Sequence, residues 1–153
     1  MPTPFRTALE LALVARLAAL FSGTTIERAA RIDVAPEERP RLCIDTGDAE
    51  ADNTFSPGET LWTVQFTITG YPAPGTNDEA AADALAALET ALSDALNGQV
   101  LELPGGPVVT EDVQVTGSSP QLVPAAEADQ AMGDVTVSFI AKILRPMGAA
   151  YFT

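Results

Sequence analysis

The chain has no histidine, a single cysteine and, across residues 42–141, neither lysine nor arginine. Without His, the commonest general base and the commonest metal ligand are missing. A lone Cys43 cannot close an internal disulfide, and it has no His to activate it as a nucleophile. Flanked by Leu42 and Ile44, it is expected to be a buried apolar thiol in a reducing compartment. No apolar run approaches the roughly 20 residues of a membrane span. Glu10 and Arg16 interrupt the apolar stretch 9–21, which excludes the core of a secretory signal. With a formal net charge of −13, direct binding to a nucleic-acid backbone, which takes clustered Lys and Arg, is not expected.

What is present fits one folded domain. The chain has 153 residues, 46% of them hydrophobic and 19% charged, enough for one substantial core. Formal net charge is −13, from 21 acidic and 8 basic residues. The charge is segregated. Arg6, Arg16, Arg28, Arg31, Arg39 and Arg41 precede residue 42, only Lys142 and Arg145 follow residue 141, and 16 acids lie between. Such a chain presents an acidic face and a smaller basic patch. One reading is a surface tuned for solubility. The other is head-to-tail contact between copies, basic patch against acidic face.

Hydrophobic spacing predicts two helices. In the first, Thr3 can cap, Pro4 fits the first turn, Leu9, Leu13, Leu17 and Leu20 form the stripe, and Gly23 ends it. In the second, over 78–97, Asn77 caps, Asp78 and Glu79 favour the helix dipole, Ala81, Leu85, Leu88, Leu92 and Leu96 are buried, and Gly98 terminates. Strands are predicted over 26–34, 41–45, 60–70, 100–103, 108–115 and 134–144. The strongest alternation is Trp62, Val64, Phe66 and Ile68. In the last strand Val135, Val137, Phe139, Ala141 and Ile143 face one way. Residues 46–59 read as a long exposed acidic loop, 117–133 as loop, and 146–153 as a tail whose Tyr151 and Phe152 are apolar enough to dock on a neighbour. The expected fold class is α+β, two helices packed on one mainly antiparallel sheet in the order α-β-β-β-α-β-β, across a single domain 1–153.

Two motifs hint at chemistry. Asp45-Thr46-Gly47 after Leu42-Cys43-Ile44 resembles the signature of aspartic proteases, which pair two such aspartates; a homodimer using Asp45 would be the enzyme alternative. Asp48 stands where that family usually has Ser or Ala, and a leucine-rich helix sits where small retroviral-type proteases are mostly strand. Asp48, Glu50, Asp52 and Glu59 occupy positions one, three, five and twelve of a calcium-loop spacing, with Phe55 at the eighth. There the sixth position is Asn53 in place of Gly, and Pro57 is out of pattern; a solvated acidic loop is the simpler reading. No phosphate-binding loop or nucleophile elbow is present. No catalytic residue, cofactor or metal is therefore expected. Arg28, Arg31, Arg39 and Arg41 remain as a cluster that either pairs locally with Glu27, Asp33, Glu37 or Glu38, or bridges to acids of another copy.

The order of elements resembles the tail terminator and tail completion proteins of long-tailed bacteriophages and of phage-derived gene transfer particles. The matching features are the amphipathic first helix, the Arg- and Pro-containing segment 28–40, Arg-Leu-Cys-Ile-Asp-Thr-Gly-Asp at 41–48, the alternating strand ending at Gly70, the Asp/Glu-started Ala/Leu helix 78–97, a strand pair and a final alternating strand. The resemblance implies a structural virion protein, assembled in the host cytoplasm and resident at the head-proximal end of the tail. It implies a homo-oligomeric ring, a hexamer, that caps the tail tube, meets the tail tube protein and the head-side connector, and lets DNA through its lumen without specific binding. A stopper or joining protein of the same connector is the neighbouring alternative. The expected interface residues are Arg28, Arg31, Arg39, Arg41, Asp48, Glu50, Asp52, Tyr151 and Phe152.

Overall fold

The computed structural model describes residues 3–29, 34–103, 110–123, 131–146 and 151–152. In chain order the elements are β1 (Thr3–Pro4), α1 (Phe5–Leu20), β2 (Thr25–Glu27), a 3-10 turn (Pro36–Glu38), β3 (Arg41–Ser56), β4 (Glu59–Tyr71), α2 (Asp78–Leu96), β5 (Gln114–Val123), β6 (Met132–Pro146) and β7 (Tyr151–Phe152). Five strands form one sheet in the order β2-β3-β4-β6-β5, antiparallel except for the β2–β3 pair. Both helices pack on one face of it, giving the expected two-layer α+β architecture.

The strand alternation decides which face is covered. In β4 and β6, Val64, Phe66 and Ile68 are register neighbours of Ala141, Phe139 and Val137, and all six are buried. Phe66 and Phe139 stack with ring centroids 5.1 Å apart. Onto this stripe α1 lays Ala8, Leu9, Ala12, Leu13 and Leu17, and α2 lays Leu85, Leu92, Ala95 and Leu96. Helix α2 can come close because glycine stands beneath it: a Cβ on Gly70 would meet Leu88 Cδ2 at 2.5 Å, and one on Gly133 would meet Leu85 Cδ1 and the Gln121 carbonyl oxygen, each at 2.5 Å.

Several local expectations need correction. Thr3 does not cap α1: it pairs with Phe152 in a two-stranded ribbon, and Pro4 takes the cap position with no side-chain bond. Leu20 is 49% exposed, and Phe21 packs on the core in its place. Asn77 does cap α2, accepting from the Ala80 N–H at 2.8 Å, and Gly98 follows the helix with φ of +76°. The strand expected over 26–34 is cut to Thr25–Glu27, and residues 30–33 lie outside the described ones. Residues 98–101 and 110–113 face one another through backbone hydrogen bonds from Gly98 to Val113 and from Thr110 to Leu101, and the strand proper begins at Gln114.

Two larger corrections share one cause. The expected acidic loop 46–59 is strand: β3 runs on to Ser56 and forms with β4 a hairpin arm turning at Pro57–Gly58. The expected loop 117–133 contains β5 up to Val123 and the start of β6, with residues 124–130 outside the described ones. Each strand carries a β-bulge, between Thr46 and Ala49 in β3 and between Val115 and Gly117 in β5. A bulge inserts one residue and flips which parity faces inward. Leu42, Ile44 and Thr46 lie on the covered face, but beyond the bulge Ala49 and Ala51 do, leaving Glu50 and Asp52 on the other. Both bulges flank the Phe66–Phe139 pair.

Glycine substitution tests the close approach of α2. Overpacking costs about 1–3 kcal/mol. Gly70→Ala should fall at the low end, because half-buried Leu88 can turn away. Gly133→Ala should fall higher, because it meets a backbone carbonyl. Urea unfolding of both variants checks the order; equal, negligible losses would mean that α2 does not press on the sheet there.

Candidate functional site

The face of the sheet opposite the helices is the candidate site. It is built by the outward residues of β3, β4, β6 and β5: Asp45 beside Thr67, Cys43 beside Thr69, then Thr136, Ser138 and Ile140, and Ser119 and Gln121 at the margin. Hydroxyl and amide side chains dominate. The Thr69 and Thr136 hydroxyls lie 3.0 Å apart across the β4–β6 ladder. Between the two bulges the face is hollowed into a concavity of about 380 Å³, lined by Asp45, Gly47, Gln65, Thr67, Thr116, Ser138 and Ile140 among others. Strands bend at bulges, which accounts for a hollow at this level.

One end of this face is closed by the segment before β3. Val34 packs on Cys43 and Tyr71, and all three are buried. The Arg39 guanidinium lies 5.3 Å from the Tyr71 ring centroid and donates to the carbonyls of Val34 at 3.0 Å and Gly133 at 2.6 Å. Cys43 is the buried thiol expected, with its Sγ 3.9 Å from Glu27 Oε2.

The described arginines among those expected at an interface each have a different partner within the chain. Arg28 pairs with Glu10 of α1 at 3.2 Å, with its side chain 39% exposed, a pair of small energetic value. Arg41 pairs with Glu27 of β2, one of the local partners anticipated. Arg39 serves the outer face, and Arg31 lies outside the described residues. Arg6, not singled out from the sequence, donates to the Gly47 carbonyl in the β3 bulge. Tyr151 and Phe152 are paired by their backbones with Pro4 and Thr3 of the same chain, so residues 151–152 are not a free tail.

Asp48, Glu50 and Asp52 do come together, on the exposed hairpin arm. They do not form a calcium loop. Alternate residues on a strand stand about 6.6 Å apart and cannot wrap one ion. Asp52 is committed instead to the tip, where its Oδ1 accepts from the Thr54 hydroxyl at 2.7 Å and the Thr54 N–H at 2.8 Å. Those bonds, the hydroxyl first, hold its carboxyl below the ordinary 3.8. Among the described residues, no group of three or more His, Cys, Asp and Glu converges. The protease reading fails on position: Asp45 lies mid-strand opposite Thr67, not in a turn from which two such loops could meet. Among the described residues no helix is long and apolar enough to cross a membrane.

The outer face and the β5 edge escaped the sequence reading. The available signal was a run without charge, residues 113–126, in a chain of net charge −13.

No family model matches the chain, and no curated protein does. Solved structures do. A chain of the virion of a native gene transfer agent (GTA) particle is similar at 21% identity, over 89% of this chain and 94% of that one, with a TM-score of 0.53. A chain of the sheath/tube terminator of an extracellular contractile injection system, PVC, in its extended state, aligns at 14% identity over 100% of this chain and 61% of that one. Its TM-score of 0.44 is too low to build on. The chain therefore shares its fold, nearly end to end, with a component of a gene transfer agent virion.

The Asp52 turn predicts a pH response of the arm. A lowered carboxyl pKa stabilises the folded arrangement above the ordinary value, and that contribution fades as pH falls through the lowered one. NMR of the Thr54 amide should show the tip loosening below about pH 3.8. Asp52→Asn keeps the acceptor oxygen but removes the titration, so its profile should be flat; a wild-type profile in the variant would rule the turn out as the cause.

Proposed function

We propose that this chain is a non-enzymatic structural subunit of a tailed particle, and that it closes into a ring of six copies on the head-proximal end of the tail tube. There it ends tube polymerisation and presents a surface to the head-side connector. The observation that carries this reading is the shared fold with a GTA virion component, over 89% of this chain and 94% of that one. The absence of any His and the mid-strand place of Asp45 support a role without catalysis.

The two faces suit a ring around a channel. The helix layer forms the outside. The uncovered sheet face, with its hydroxyls and the carboxylates of Asp45, Glu50 and Asp52, lines the lumen. Like charge keeps passing DNA from adhering, and among the described residues of β4, β5 and β6 Lys142 is the one base whose register puts it on that face, Arg145 lying on the other parity and Arg41 and Arg39 at the closed end. The exposed arm, residues 48–58, reaches along the particle to the tube or the connector.

Deleting the gene from its particle should yield tubes of uncontrolled length or tails without heads, scored by electron microscopy. Tails of normal length joined to heads would overturn the terminator role.

A further inference from the structure

Among the described residues the sheet does not close on itself, and its two edges differ. The β5 edge, Gln114–Val123, is exposed at every position but Val115. It carries no charge, and its obstacles to strand pairing are Pro120 and the bulge between Val115 and Gly117, which leaves Ser118, Ser119, Gln121, Leu122 and Val123 clear of both. Natural sheets guard such an edge with charges, prolines or cover. In a chain this acidic, ten neutral residues on an edge that no described strand covers suit a strand that pairs with another chain. The opposite edge is also open. β2 pairs only with residues 41–43 of β3, and among the described residues no strand lies against β3 beyond Cys43 on that side. Here the edge is acidic, with Asp45, Asp48, Glu50 and Asp52.

We propose that β5 of one copy adds to the 45–52 edge of β3 in the next copy, so that the sheet runs on from subunit to subunit around the ring. The inference rests on the ring reading above and assigns its interface. Three features of the chain support the pairing. First, β3, β4, β6 and β5 alternate in direction, so β5 runs opposite to β3. In a ring every copy keeps the same sense along the axis, so β5 meets the next β3 antiparallel, as in the rest of the sheet. Second, the free stretches are staggered. β5 covers Met132–Ile140 of β6, whereas through β4 the β3 stretch Ile44–Asp52 stands level with Val137–Leu144. Joining staggered edges tilts the strands to the ring axis, the tilt that a closed sheet requires. Third, the charges select a head-to-tail contact. Two β3 edges together would set acid beside acid, but the Ser, Thr and Gln residues of β5 can lie along that acidic edge without like-charge contact.

Ser119 faces the same side of the sheet as Glu50 and Asp52 and is exposed, so it accepts either charge without touching the core. Full-length Ser119→Glu and Ser119→Lys are compared with wild type by analytical ultracentrifugation and native mass spectrometry over a concentration series, with monomer melting as the folding control. Ser119→Glu should weaken association about tenfold or more, and Ser119→Lys should leave it unchanged or tighten it. Equal assembly in all three chains would show that β5 is not the interface, overturning this proposal while the ring stands. Equal weakening by both charges would place β5 in a contact other than the acidic edge and overturn the β3 pairing. Association that stops at a dimer would replace head-to-tail pairing with β5 against β5. A chain that stays monomeric at every concentration would overturn the ring and this interface together.

Discussion

Phe66 and Phe139 sit opposite one another on β4 and β6, two adjacent inner strands of the sheet, and the rest of the molecule is arranged around that contact. Their rings stack on the covered face, where both helices converge with leucine and alanine side chains. Removing either ring would open a cavity at the point shared by both layers, the kind of loss that costs about 3–5 kcal/mol. The alternation of β4 and β6 around this pair also fixes what faces away from the helices. Once Val64, Phe66, Ile68, Val135, Val137 and Phe139 point inward, Gln65, Thr67, Thr69, Thr136 and Ser138 must point outward.

The bulges on either side of the aromatic pair turn that regular core into a shaped outer surface. They let β3 and β5 leave the central register, hollow the uncovered face between them, and pass the inward role from one parity to the other. Without the β3 bulge, Glu50 and Asp52 would point into the helix layer beside Trp62, which stacks on Phe5 at 4.9 Å. With it, alanines take that place and the acids line the open side. The proposed lumen and the proposed subunit contact both depend on this single change of phase.

Much of the fold could be read from residue order. Helix α2 was legible because every local preference agreed: an Asn cap, acids in the first turn, leucines at helical spacing and a glycine at the end. The cores of β4 and β6 were legible for the same reason. The outer half of β3 and most of β5 were not, because period-two reasoning assumes an unbroken strand, and a one-residue bulge breaks the pattern where it would otherwise be recognised. The acidic arm gave no apolar alternation of its own, since it pairs in the open, and Pro120 argued against a strand that turned out to be an edge. The arginines looked like one cluster in sequence, and the three described ones have separate partners: Arg28 against Glu10, Arg41 against Glu27 and Arg39 across Tyr71.

Residue order alone was enough for the fold class, α+β with two helices over an alternating sheet, and for the acidity and the lack of imidazole and of a second thiol. Burial of apolar stripes and the chemistry of side chains are local properties, and they can be counted along a chain. Which residues share a face, which strands end the sheet and how the acids stand relative to the hydroxyls came from the folded chain. Those depend on register, and register is set by pairing between segments far apart in sequence, where a single extra residue reverses the orientation of everything beyond it.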